Sequence, residues 1–305
     1  MIGAVDIGGT KIAAGMVDQM GRLLARQECP TDPGIGWKEA VKRIASLLRQ
    51  TLAQTGGQLI GIGIGCTGPV YPDTGVIGDV KFLPGWEGAN LAEAFSQEFG
   101  VPAAIENDAN ASALGEWAWG AGKGSSTFIL VTVGTGIGAG LILDGKLYRG
   151  VRGSHPEIGH HVIDPAGPAC FCGAHGCWES LASGRAMERW AQDHHPQGER
   201  RTARQLCLAV EQGDPLAQAA VHRTAHYMGV GLANLITLFS PEMIALGGGL
   251  MQSYPLFEQE IRETIQADCG LVPYQEVKVA LATLGTQTGL IGAARVGYNR
   301  FSKPL

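Results

Sequence analysis

Apolar and polar positions alternate along residues 2–17 (IGAVDIGGTKIAAGMV), broken by a Gly-Gly pair. That period of two predicts a strand–turn–strand hairpin, and residues 22–28 fit a third strand. Ala40, Ile44, Leu47 and Leu48 fall at helical spacing within 37–55. Residues 59–66 (LIGIGIGC) read as a buried strand that ends in a turn. A short helix is expected over 90–99 and a strand over 102–106, followed by a helix from Ala109 with Asn107 or Asp108 at its start. The pattern then restarts: strands over 127–133 and 138–143 flank a second glycine turn, and 146–150 closes the set. The back half predicts helices over 181–195, 202–212 and 214–240. It continues with a strand in MIALGGGL, a helix over 254–267, and a last strand and helix over 277–282 and 286–299. Strand–glycine turn–strand therefore occurs twice, which points to a duplicated α/β unit.

The block Glu157–Glu179 (EIGHHVIDPAGPACFCGAHGCWE) changes the picture from fold to chemistry. Cys170, Cys172, Cys177 and His160 offer three thiolates and an imidazole, a tetrahedral Zn²⁺ set. The alternative is three ordinary core cysteines. Gly173 and Gly176 argue against that, because a core strand or helix is not so rich in glycine. Cys29, Cys66, Cys207 and Cys269 are scattered, and most read as small buried side chains.

Composition narrows the class. The chain has 305 residues, 45% hydrophobic and 17% charged, with a net charge of -5. The length suggests two domains. No basic field exists to attract nucleic acid or an anionic membrane. No run of about twenty apolar residues and no leader-like start is present, so a reducing, cytoplasmic setting is expected.

The glycine turns carry the candidate chemistry. Backbone amides of Gly8, Gly9 and Thr10 can form an anion site, with Asp6 aimed at the same space, where it could hold hydrated Mg²⁺. A plain tight hairpin is the alternative. The second turn, Gly134-Thr135-Gly136-Ile137-Gly138, lacks the Lys-Ser/Thr of a P-loop and is followed by a strand, which excludes a dinucleotide fingerprint. Gly248, within Gly247-Gly248-Gly249, is a third point of close approach, under an adenine or ribose, or simply a strand-to-helix turn. Asp108 follows a strand end, where ligands of α/β proteins bind, and a carboxylate beside the Asn107 amide suits a general base. Helix N-capping explains the same two residues. Glu157 and His160 fit a polyol contact or a surface pair.

DIGGTK at 6–11, ENDANASALGE at 106–116, GTGIGAG at 134–140 and the Glu157–Glu179 block occur in the order and separations of the repressor–open reading frame–kinase (ROK) family, which the whole chain resembles. The resemblance implies an actin-like ATPase (hexokinase/ribonuclease H-like) α/β fold: two lobes, a duplicated β-α core and a structural zinc loop. It implies lobes over 1–118, joined by a returning helix at about 287–305, and over 119–286. It also implies transfer of the ATP γ-phosphoryl, with Mg²⁺, to a hexose or N-acetylhexosamine, and a homodimer. Carried over by position, Asp108 resembles the catalytic base. Gly68, Asn107, Glu157, His160 and Glu179 resemble sugar-binding residues. His160, Cys170, Cys172 and Cys177 resemble zinc ligands. Gly8, Gly9, Thr10 and Thr135 resemble the phosphate-turn residues, with Asp6, Lys11, Gly134, Gly136 and Gly248 beside them.

One position departs. Phe82-Leu83-Pro84-Gly85-Trp86 stands where many family glucokinases carry Asn-Leu-Pro-Gly-Trp, so one sugar-hydroxyl contact is in doubt. Glucose is the expected acceptor; N-acetylmannosamine, N-acetylglucosamine, fructose and allose are the alternatives. The acidic chain favours ATP over polyphosphate. The family also holds sugar-responsive repressors with an added N-terminal DNA-binding module; here the first hairpin begins at the second residue, so a repressor is not expected. An apolar stripe at Met228, Leu232 and Leu235 fits a dimer face or intramolecular core.

Overall fold

The computed structural model describes residues 1–301. Residues 302–305, where the expected returning helix at about 287–305 would end, lie outside the described residues. Contacts divide the chain into two compact units: Met1–Ser126, Gly140–Pro156 and the segment from Ala282 form one, and Thr127–Ala139 with Glu157–Leu281 form the other.

In the first unit β1 (Ile2–Ile7) and β2 (Lys11–Val17) pair antiparallel across the Gly8–Gly9 turn, and β3 (Leu23–Pro30) pairs with β2. Helix α1 (Trp37–Thr55) leads to β4 (Gly61–Cys66), parallel to β1. A short hairpin of β5 (Val70–Tyr71) and β6 (Val76–Ile77) falls within the stretch that the sequence marks only as a turn. Then come α2 (Leu91–Phe99), β7 (Ala103–Asn107), parallel to β4, and α3 (Asp108–Trp119). The strand order is β3-β2-β1-β4-β7.

The second sheet uses β8 (Phe128–Val133), β9 (Ile137–Leu143) and β10 (Lys146–Leu147). Helices α4 (Trp178–Ala182), α5 (Gly184–His194), α6 (Ala203–Val210) and α7 (Pro215–Phe239) follow. Then come β11 (Met243–Gly247), α8 (Glu258–Asp268), β12 (Lys278–Leu281) and α9 (Thr288–Phe301). The order is β10-β9-β8-β11-β12, with β8, β11 and β12 parallel.

Two helices differ from the sequence expectation for physical reasons, and the apolar stripe of α7 takes one of its two expected roles. The helix expected over 181–195 breaks at Ser183, because the Gly184 amide donates to the Gly134 carbonyl at 2.8 Å, and the Ser183 hydroxyl starts α5 afresh by capping Ala186 N. The helix expected over 254–267 starts at Glu258, since Pro255 lies in a 3₁₀ segment before it. Met228, Leu232 and Leu235 are buried within the protomer, so that stripe is core.

The two faces of the first sheet are built differently. Val5, Ile7, Ile62 and Ile64 join Ile44, Leu48, Trp86 and Phe95 in the large core on the α1 side. Ile2 and Ala4 face Leu290, Ala293 and Tyr298 of α9. On that second face β4 presents Gly61, Gly63 and Gly65, and a Cβ at Gly63 would stand 1.8 Å from the Ala293 carbonyl oxygen. Helix α9 therefore lies directly on the strand backbone.

Helix α3 crosses α9 just as closely: a Cβ at Gly292 would stand 2.2 Å from the Ala111 carbonyl oxygen. The buried Glu116 carboxylate reinforces the crossing, accepting from the amides of Ala121 at 2.9 Å, Thr283 at 3.1 Å and Leu284 at 2.8 Å.

Gly292→Ala tests this crossing. The better helix propensity of Ala is worth up to ~1 kcal/mol, whereas overpacking costs ~1–3 kcal/mol, so a net loss of stability is expected in urea melts. Unchanged or raised stability would show that the helices are not in backbone contact.

Candidate active site and metal centre

Strand register sets the carboxylates of the first unit. Asp6 pairs with Gly65 across β1–β4, and Gly65 pairs with Glu106 across β4–β7. The row Asp6–Gly65–Glu106 points to the α3/α9 face, and the glycine in the middle leaves room between the acids. A Cβ at Gly65 would meet Asp108 Cα at 3.8 Å. Asp108 opens α3 just past the end of β7. Asn107 caps that helix: its Oδ1 accepts from Ala109 N at 3.0 Å and Asn110 N at 3.1 Å, while its Nδ2 donates to Asp108 Oδ1 at 3.1 Å. The capping and base readings of these residues are therefore compatible, since the cap itself aims the amide at the carboxylate. Gly68 belongs to the same corner, because a Cβ there would stand 3.1 Å from Asn107 Nδ2.

The first glycine turn closes through Gly8 N donating to Lys11 O at 3.0 Å, and Thr31 braces it by donating from its hydroxyl to Gly8 O at 2.6 Å. Thr10 is exposed at its tip. The Lys11 ammonium is paired with Glu28 at 2.8 Å. Phe82 is half-exposed and covers the turn, with its Cβ 3.1 Å from where a Cβ at Gly9 would be. Removal from water, then the facing Asp108 carboxylate, pushes the Asp6 carboxyl up from 3.8 to about 7. An acid held this way suits a cation, whose charge offsets the repulsion.

In the second unit the glycine turn is closed by Gly134 N donating to Gly136 O at 2.9 Å. Glu179, in the first turn of α4, accepts from Ile137 N at 2.8 Å, so it holds the turn from beneath. Gly134 and Thr135 line a cavity of about 720 Å³. Arg185, Arg204, Leu208 and Leu256 are among its other walls, and Gly249 continues it from the end of β11. Gly248 has φ 91° and sits so close to Val133 that a Cβ would meet its carbonyl oxygen at 2.3 Å. Gly136 does not line the cavity.

The cysteine block folds as a knot. Cys170 N donates to Ala174 O at 2.8 Å, and isolated bridges join Val162 to Cys177 and Ala169 to His175. Ligand atoms of His160, Cys170, Cys172 and Cys177 all lie within 4.8 Å of one another. Cys170 Sγ is 3.4 Å from His160 Nδ1, and Cys172 and Cys177 sulfurs are 3.5 Å apart, too far for a disulfide. Bonds of about 2.3 Å to one tetrahedral ion would set such edges near 3.8 Å, so the set fits a single metal. Glu157 is exposed and immediately precedes the 3₁₀ turn that carries His160. His160 is the only sequence-derived sugar residue that is also in the knot.

Sequence reasoning missed the α5/α6 wall of the cavity and the partners of Glu106. Cavity walls come from segments far apart in the chain, and no local pattern marks them. The ion-pair partner of Glu106, Arg149, is an isolated cation in a loop.

The strand–glycine turn–strand units, with a carboxylate pair at the strand ends of one of them, define an α/β protein of the actin-like ATPase class. A model of the ROK family matches residues 2–298, and the chain belongs to that family. It is 37% identical to a glucokinase of Streptomyces coelicolor over 95% of each chain. The crystal structure of a ROK hexokinase from Thermus thermophilus superposes with a TM-score of 0.85 at 35% identity, covering 98% of both chains. That of a ROK glucokinase from Streptomyces griseus in complex with glucose and AMPPNP gives 0.81 at 35%, covering 98% of this chain and 99% of that one.

The raised Asp6 carboxyl has a sign that can be checked. The folded protein holds this proton more tightly than the unfolded chain, so stability falls as pH rises from 3.8 to about 7. Asp6→Asn should therefore raise the Tm of the ligand-free protein at pH 8 by several degrees, with the gain shrinking toward pH 4. A variant that is less stable at pH 8 would contradict the repulsion.

Proposed function

We propose that the chain transfers the γ-phosphoryl of ATP to the 6-hydroxyl of glucose. The observation that carries this reading is the Asn107–Asp108 corner: a carboxylate with its amide partner at a strand end, beside the Asp6 glycine turn. The similarity to glucokinases over the full chain selects the hexose and the donor.

Asp108 is the general base. It takes the hydroxyl proton as the phosphoryl arrives, while the Asn107 amide keeps its carboxylate aligned. Gly68, Asn107, Glu157, His160 and Glu179 bind the sugar. Gly8, Gly9, Thr10 and Lys11 of the first glycine turn, and Gly134, Thr135, Gly136 and Gly248 of the second unit, receive the phosphates through backbone amides and small side chains. The 720 Å³ cavity is large enough for the nucleoside. Asp6 would hold hydrated Mg²⁺, which supplies charge neutralisation of the β- and γ-phosphates when bound.

The ion of the cysteine knot is read as Zn²⁺, held by His160, Cys170, Cys172 and Cys177. When bound, it supplies a structural staple, since four protein ligands leave no open position for water. His160 then stands with one ring nitrogen toward the knot and the other free to meet the sugar. The cysteines of the described residues form no disulfide, and a zinc knot of thiolates suits the reducing, cytoplasmic setting expected from the sequence.

Asp108→Asn, assayed with ATP and glucose, should lower kcat by about two decades or more and leave glucose affinity within a few-fold. Near-normal turnover would remove Asp108 as the base. Cys172→Ser should lose bound zinc, measured by atomic absorption, and glucose affinity together, with ATP affinity retained. A metal-free variant of full activity would show that the knot does not organise the sugar site.

A further inference from the structure

Glu106, one residue before the Asn107–Asp108 corner, is buried to 1% exposure. Its Oε1 accepts from Asn107 N and Asn110 Nδ2, each at 3.0 Å. Its Oε2 accepts from Arg149, through Nε at 3.1 Å and through a second guanidinium nitrogen. This is a forked, charge-assisted pair. Arg149 is itself held on both sides: Tyr148 N donates to Leu141 O at 2.8 Å, and Gly150 N donates to Ser154 O at 2.7 Å. The segment that carries it rests on α3, where a Cβ at Gly140 would stand 2.8 Å from the Ala109 carbonyl oxygen. The pair also explains why the strand expected over 146–150 stops at Leu147, since the chain turns there to deliver Arg149.

The contacts form a continuous path. Arg149 holds Glu106; Glu106 holds the amide of Asn107 and the side chain of Asn110; the Asn107 side chain holds Asp108. A carboxylate buried this far persists as an anion only with a counter-ion and full hydrogen bonding. Without Arg149, Glu106 loses its counter-ion and its forked hydrogen bonds, and it must either swing outward or draw water into the corner. Either change weakens its hold on Asn107 and Asn110, and with it the geometry of Asp108.

We propose that Arg149 is a positioning residue for the Asp108 base, acting through Glu106 and Asn107; this rests on the kinase reading above. Arg149→Met should lower kcat at least about tenfold with the KM for ATP within twofold, because a slight displacement of a catalytic group is that costly. Arg149→Lys should recover part of the loss, since it restores the charge but not the fork. The double variant Glu106→Gln/Arg149→Met removes both charges. It should regain the Tm while kcat stays low, and it remains informative if Arg149→Met fails to fold. A kcat of wild-type size in Arg149→Met, or recovery of kcat in the double variant, overturns the proposal and leaves only a structural ion pair.

Amide hydrogen exchange reads the same path without catalysis. Protection of Ala109 and Asn110 should fall about tenfold or more in Arg149→Met, while the β8–β11–β12 strands are unchanged. Unaltered protection at those two amides overturns the proposal even if the wild-type protein phosphorylates no hexose, an outcome that would separately overturn the kinase reading.

Discussion

Helices α3 and α9 stack directly on the glycine row of β4, and the position of the site follows from that contact. Gly61, Gly63 and Gly65 give the strand one face with no side chains. The helices approach to backbone distance there, as the 1.8 Å between a Gly63 Cβ and the Ala293 carbonyl makes plain. The opposite face of the same strand, Ile62 and Ile64, sits in the large apolar core. The sheet is thus thick on one side and thin on the other, and the thin side carries the acids. The row Asp6–Gly65–Glu106 exists only because the central position is empty.

Three carboxylates in one small region is an unfavourable arrangement, and each is handled differently. Glu106 is neutralised by Arg149 and by two amide donors. Asp108 is aligned by Asn107 at the start of a helix, where the dipole favours negative charge. Asp6 is only partly offset, by Lys11 and Arg26, and burial with the facing Asp108 still pushes its carboxyl up to about 7. Stability given up at a functional site in this way is a common trade. We assign the cation to Asp6 and the role of base to Asp108. In the second unit Glu179 fixes the Gly134–Gly136 turn beside the cavity.

Much of this was legible in the sequence because the signals are local. The Asp6–Lys11 turn, the strand end at Asn107–Asp108 and the cysteine spacing each lie within a short stretch, and the two glycine-turn hairpins and most helices follow from period alone. What was not legible depends on contacts between distant segments. The break at Ser183 is set by the Gly134 carbonyl, some fifty residues earlier. The cavity wall gathers residues from Gly134 to Leu256. Arg149 is one arginine in a loop until the fold brings it to Glu106. Phe82 stood out as a departure from family glucokinases. It packs against the first glycine turn, with its Cβ 3.1 Å from where a Cβ at Gly9 would be, a contact that no local motif marks.

The most direct test of the central claim is a competition assay with zinc-loaded protein, ATP and Mg²⁺. Glucose, N-acetylmannosamine, N-acetylglucosamine, fructose and allose are supplied together, and the sugar phosphates are resolved by mass spectrometry. The account predicts one phosphorylated hexose dominating by tens-fold or more, with glucose 6-phosphate as that product and ADP formed in equal amount. ADP release without sugar phosphate, or no turnover of any sugar, would contradict it.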